Sequence, residues 1–225
     1  PDEHLADKSF DDYMKEGPLE ALEAIERATG QREVNVIGYC IGGTLLACTL
    51  AYVADASGKD GRKWKGRVKS ATYFTAMVDF EEAGELAIFV DEEQLARLEA
   101  HMNEKGYLEG HHMATVFNMM RDKDLIWSFV INNYLLGRDP PPFDLLYWNS
   151  DSTRMPAMMH SFYLRNMYLE NRLVEPGGIS LAGVPIDLGA IKVPTYILAT
   201  REDHIAPWQS VYAATGHYGG AVKFV

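Results

Sequence analysis

Apolar residues first alternate and then cluster in one short stretch of the chain. Val34, Val36 and Ile37 form a β-branched run that breaks at Gly38, and Thr44 to Ala51 then continues as a segment apolar on all sides. This pattern predicts a strand, a sharp turn with Cys40 at its tip, and a buried helix. Upstream, Tyr13, Met14, Leu19, Leu22, Ile25 and Ala28 recur at helical spacing between Phe10 and Thr29, with acids early, Arg27 late and Gly30 closing the run. That is the signature of an amphipathic helix packed on a sheet. Downstream, Val68 to Val78 reads as the next strand, after a polar turn from Ser57 to Arg67 whose cations read as a solvated loop. Strand, helix, strand implies a parallel sheet.

The rhythm then changes. From Asp79 to Gly178 the chain is helical, aromatic and methionine-rich, with Pro140, Pro141 and Pro142 in its middle. Sheet-forming text returns at Pro194 to Ala199, followed by the polar loop Thr200 to Trp208, a helix to Thr215 and a last strand at Ala221 to Val225. An insertion of that size between strands predicts a cap or lid, so residues 1–78 and 179–225 are expected to form the core and 79–178 the cap. The cap's Met113, Met119, Met120, Met155, Met158, Met159 and Met167, with Phe117, Trp127, Phe129, Trp148, Phe162 and Tyr163, read first as core. An adaptable apolar lining for an acyl chain is the narrower reading of the same residues.

Gly38-Tyr39-Cys40-Ile41-Gly42 carries the candidate chemistry. A nucleophile between two glycines on a strand-to-helix turn is the nucleophile elbow of α/β-hydrolases, here with sulfur in place of the serine oxygen. The predicted fold is therefore an α/β-hydrolase, a mostly parallel sheet with an inserted helical cap. The helix N-terminus behind Cys40 is expected to favour the thiolate. Asp203 follows the later strand, where this fold places its acid, although a loop carboxylate there also reads as a cap for the next helix. Asp79, at the end of the strand after the elbow helix, is the structural competitor and reads as a turn or supporting residue. His204 adjoins Asp203 and points elsewhere in an extended loop, so it too is at most a supporting residue. His217 reads as a surface loop residue. His101, His111 and His112 match no strong metal-ligand spacing and read as solvent-facing; no metal is expected.

Composition narrows the partners. A net charge of −11, with no basic run, argues against nucleic acid or an anionic membrane. The two cysteines, Cys40 and Cys48, sit about 12 Å apart along one helix and cannot pair, so a reducing cytoplasm is the simpler setting. No apolar run approaches a membrane span and no signal-peptide pattern opens the chain. Pro1 and the strand-like ending at Val225 both read as cuts.

Six segments together are similar to one family. Gly38 to Thr44, Phe89 to Glu92, Phe143 to Asn149, Tyr163 to Asn166, Gly183 to Leu188 and Thr200 to Trp208 resemble the class I polyhydroxyalkanoate synthases, over essentially the whole chain. The resemblance implies a Cys-His-Asp triad that polymerises (R)-3-hydroxyacyl-CoA with release of CoA, and it places the nucleophile on Cys40 and the acid on Asp203. It implies one oxyanion donor from the backbone of Ile41, and a general base beyond Val225. It further implies no cofactor, a growing polyester chain as partner, a homodimer, and a cytoplasmic location at the polymer granule surface. Thr215 to Gly220 departs from the family pattern. Two other readings compete: a cysteine hydrolase of the dienelactone hydrolase kind, against which the long insertion speaks, and a non-catalytic granule-binding or dimerising module.

Overall fold

The computed structural model describes residues 3–55, 61–120, 126–140 and 153–225. Part of the Ser57–Arg67 turn, Pro141, Pro142 and the motif Phe143 to Asn149 with its Trp148 lie outside them.

The amphipathic N-terminal segment forms α1 (Phe10–Met14) and α2 (Glu20–Thr29), joined by a π-helical turn at Lys15–Leu19 that contains Gly17 and Pro18. Proline lacks an amide donor, and one wide turn lets the helical path continue past it. Ser9 starts α1 with a reciprocal capping box to Asp12, and Gly30 ends α2 in the left-handed conformation. Phe10, Met14, Leu19 and Leu22 are the buried positions; of the six apolar residues read at helical spacing, Met14, Leu19 and Leu22 face inward, whereas Tyr13, Ile25 and Ala28 are exposed.

Four strands make the central sheet: β1 (Val34–Tyr39), β2 (Val68–Phe74), β3 (Thr195–Leu198) and β4 (Val222–Phe224). They lie side by side in chain order and all pairs are parallel. Tyr39 is level with Phe74, and Phe74 with Leu198, so the strands' C-terminal ends share one edge of the sheet. Ligands of open parallel sheets bind at that edge. Between β1 and β2 runs α3 (Ile41–Ala54), buried on most of its surface, as its uninterrupted apolar sequence requires.

One expectation for this region is corrected. Arg67 is not solvated but 2% exposed: its guanidinium donates to the carbonyls of Leu22 and Arg32 and pairs with Glu26 at 2.9 Å. Two carbonyls and a carboxylate converge there, and a planar five-donor group can satisfy them all while buried.

Between β2 and β3 lie α4 (Glu92–Lys105), α5 (Gly110–Met120) and α6 (Ala157–Tyr163), with short π- and 3-10 turns. Arg165, just after α6, grips Glu99 of α4 through two hydrogen bonds of 2.7 Å. Phe80, Met159, Tyr163 and Met167 belong to the same core as the sheet, whereas Met102, Leu108 and Ala157 form a separate small cluster. The reading of the methionines and aromatics as core is thus divided. Met159 and Met167 are buried, while Met119, Trp127, Phe129 and Met158 are exposed. Finally α7 (Trp208–His217) leads into β4.

Candidate active site

Cys40 occupies the turn between β1 and α3 with φ 51° and ψ −132°, a positive φ that a side chain rarely adopts. Its amide donates to Phe74 and its carbonyl accepts from Gly43 at 2.9 Å, so the backbone on both sides of the turn is fixed. Close approach requires Gly38 and Gly43, whereas Gly42, the second glycine of the elbow pattern, has open space at its Cβ position. A Cβ on Gly38 would lie 2.6 Å from the Gly43 backbone, and one on Gly43 would lie 2.3 Å from the Ala76 side chain. Helix α3 therefore lies tight against β1 and against the segment after β2. The buried Thr44 hydroxyl adds a hydrogen bond of 2.7 Å to the Met77 carbonyl.

The sulfur faces an apolar cavity of about 470 Å³. Helix α5 contributes Met113 and Phe117, the turn before α4 contributes Leu86 and Phe89, and the α6 region contributes His160, Tyr163 and Tyr168. Ile205, from the loop after β3, closes the wall. In that same loop Asp203 accepts hydrogen bonds from the amides of Ile205 and Ala206, both 2.9 Å, through one carboxylate oxygen. The loop also packs on the turn around Gly84, where a Cβ would meet the His204 carbonyl at 2.7 Å.

Burial pushes the Cys40 thiol up; the Ile41 amide opposes this, and the Asp203 charge adds to it. The expected preference for thiolate is therefore corrected: one amide at a helix start does not offset desolvation in an apolar pocket plus a nearby carboxylate. Such a thiol needs a base to take its proton. Tyr163 and Tyr168 lie close enough for the sulfur's charge to be felt, and burial drives both phenols above their ordinary value. They face the sulfur as neutral hydroxyls.

The other sequence candidates are distributed differently. His217 is the last residue of α7 and not a surface loop residue; its Nε2 lies 3.0 Å from Asp79 Oδ2. Asp79 also accepts from the Asn171 side-chain amide and the Glu81 backbone amide, and neither Asp79 nor His217 lines the Cys40 cavity. His204 is half-buried in the Asp203 loop. Among the three histidines of α4 and α5 only His111 is solvent-facing. His101 and His112 are half-buried with rings 5.2 Å apart, and donor atoms of Glu109, His111 and His112 fall within 4.8 Å of one another. His101 and His112 meet because α4 and α5 are adjacent, which no local spacing rule detects.

Sequence reading missed His160 altogether. It is 3% exposed, and burial pushes its pKa down to about 4. The available signal was its helical phase: Met159, His160, Tyr163 and Met167 fall on one inward face.

Strand order, elbow and cavity define a class. Residues 3–221 match the alpha/beta hydrolase fold family, and the chain belongs to it, as the elbow predicted. Within that class the chain is 58% identical over its 225 residues to the poly(3-hydroxyalkanoate) polymerase subunit PhaC of Rhizobium meliloti (strain 1021). It is 53% identical to the poly(3-hydroxyalkanoate) polymerase of Methylorubrum extorquens and 40% identical to the polymerase subunit PhaC of Cupriavidus necator. Each match covers the whole chain but only 36%, 36% and 38% of the relative. The chain thus spans little more than a third of the length of the curated relatives it matches. The likeness to polyhydroxyalkanoate synthases, carried by dispersed motifs, is borne out along the full sequence.

Proposed function

We propose that the chain is the nucleophile-bearing part of a poly(3-hydroxyalkanoate) polymerase acting on (R)-3-hydroxyacyl-CoA. The observation that carries this reading is the position of Cys40, held at a strained strand-to-helix turn and facing an apolar cavity large enough for a short acyl group. A base takes the Cys40 proton, and the thiolate attacks the thioester carbonyl. The Ile41 amide donates to the developing oxyanion, and CoA leaves as its thiol, so the acyl group ends as a thioester on Cys40. The 3-hydroxyl of another unit then attacks that thioester, transferring the chain and restoring the thiol.

Asp203 is the acid that orients the base. His160 is a poor candidate for that base, because a pKa of about 4 leaves it too weak to accept a thiol proton. His217 is engaged by Asp79. The base is assigned to a histidine from the remainder of the longer protein, with His204 and Asp79 as supporting residues around the site. Thiol, base, acid and amide suffice for the chemistry, so no cofactor or metal is invoked. A homodimer working in the cytoplasm at the surface of the polymer granule fits the reading. Among the described residues, no helix is long and apolar enough to cross a membrane.

The test uses the full-length protein. Incubated with 3-hydroxybutyryl-CoA, it should release CoA and carry the acyl mass on the peptide containing Cys40. Cys40→Ala should abolish both, and undiminished CoA release from that variant would refute the assignment.

A further inference from the structure

His160 lies in the wall of the Cys40 cavity, and its Nδ1 is buried without a hydrogen-bond partner. A buried polar atom left unpaired destabilises the site, and a ligand that pairs it recovers that penalty. Gln94 and the two tyrosines on the cavity are hydrogen-bonded to protein partners, and His112 is stacked on neighbouring rings. Gln94 donates to Ile88 and Asp91, and Tyr163 is hydrogen-bonded with Thr44 and Tyr168. Among the described cavity residues, His160 alone has a buried side-chain nitrogen or oxygen without a partner. The surrounding wall of Leu86, Phe89, Met113 and Phe117 has nothing to offer a polar substituent.

The proposed substrate differs from an ordinary fatty acyl thioester by one hydroxyl close to the reacting carbonyl. An unsubstituted acyl chain would fill the cavity and leave the imidazole unpaired; a hydroxylated chain brings a donor and an acceptor. We propose that His160 is the specificity residue of this pocket, accepting a hydrogen bond from the 3-hydroxyl of the acyl group held beside Cys40. The imidazole is neutral across the working range, because burial holds its pKa near 4, and a neutral ring keeps one nitrogen as acceptor. Sites built to bond a substrate hydroxyl discriminate strongly against the analogue lacking it, whereas a purely apolar pocket does not. The inference rests on the polymerase reading above.

The experiment compares single-turnover CoA release by the full-length protein from 3-hydroxybutyryl-CoA and from butyryl-CoA. The wild type should favour the hydroxylated substrate. His160→Leu should lower that preference about tenfold to a hundredfold, by a larger loss in the hydroxyacyl arm than in the butyryl arm. His160→Gln, which keeps an acceptor, should restore part of it. Equal loss in both arms or an unchanged ratio in His160→Leu, or no recovery of the ratio in His160→Gln, would show His160 to be packing only. If His160→Leu does not fold, as judged by its melting transition, the wild-type ratio and the Gln variant decide the matter. Absence of CoA release by the wild type from either substrate would overturn the polymerase reading itself, an outcome distinct from failure of the His160 assignment.

Discussion

His217 Nε2 lies 3.0 Å from Asp79 Oδ2, joining the last residue of α7 to the loop that follows β2. The same carboxylate accepts from Asn171 and Glu81, and its backbone carbonyl accepts from Ser210. Asn171 takes a left-handed conformation, φ 50°, and also receives the Phe80 amide. One aspartate therefore ties together β2, α7 and the end of the α6 region, outside the lining of the Cys40 cavity.

This network sets a pH dependence. Burial alone would raise the Asp79 pKa, but the hydrogen bonds from His217, Glu81 and Asn171 outweigh it and hold the carboxyl below its ordinary value of 3.8. A carboxyl with a depressed folded pKa stabilises the fold above its unfolded value, and that contribution fades as pH falls through the folded one. Asp79→Ala should cost about 1–3 kcal/mol near pH 7, and the deficit should shrink below pH 4. Denaturant melts of both proteins across that range check it; a deficit that stays constant would show that the carboxylate's charge is irrelevant.

The elbow glycines make a sharper contrast. Gly43→Ala places a methyl 2.3 Å from the Ala76 side chain and should destabilise by about 3 kcal/mol, since neither the helix nor the segment after β2 can move aside without breaking the Thr44 bond. Gly42, one residue earlier, has nothing within 4 Å of the position a methyl would take, and Gly42→Ala should be neutral or stabilising by about 0.5 kcal/mol. Melting temperatures of the pair separate close packing from turn propensity: similar effects at both positions would count against the packing account.

The elbow and its flanking elements are legible in the sequence alone. The β-branched run, the glycines around Cys40 and the all-apolar helix determine their local geometry through sterics and burial, and β1, the turn and α3 fall where the pattern puts them. Asp203 is legible as a polar residue after an apolar strand. What escapes is whatever depends on long-range juxtaposition. His217 looks like a loop residue beside Gly216, yet α7 runs on to it because Asp79, far away in sequence, captures the ring. Arg67 looks solvated because the three groups that receive it come from α2 and the approach to β1. The Cys40 thiol looks activated because the helix start is local, whereas the burial and the Asp203 charge that oppose it come from tertiary structure.

Arg165 tests how the helices between β2 and β3 hold together. Its two bonds of 2.7 Å to Glu99 are bidentate, with Glu92 at 3.1 Å on the outside, and Glu99 is held below its ordinary pKa chiefly by that guanidinium. Lysine offers a single ammonium and cannot reproduce the fork. Arg165→Lys should therefore lose about 1 kcal/mol and expose α4 to faster amide hydrogen exchange than the rest of the fold. Unchanged exchange along α4 would mean that apolar contacts alone hold the helix in place.

The two thiols should report their surroundings directly. Cys48 is fully buried, with its pKa pushed up to about 12, and should resist alkylation in the folded 225-residue chain at any pH that leaves it native. Cys40 is half-buried and faces the cavity, so iodoacetamide should reach it, slowly at pH 7 and faster as pH rises past 9, because thiolate is the reacting form. Removing the nearby charge should shift that curve. Asp203→Asn keeps an oxygen for the Ile205 and Ala206 amides but takes away the carboxylate that opposes ionisation of Cys40, so labelling at pH 8 should accelerate. Mass spectrometry of the peptides measures both cysteines in one sample, with circular dichroism establishing that each variant is folded. Slower labelling in the Asn variant would mean that Asp203 already acts through a base that activates the sulfur, and the charge effect inferred from this geometry would have the wrong sign.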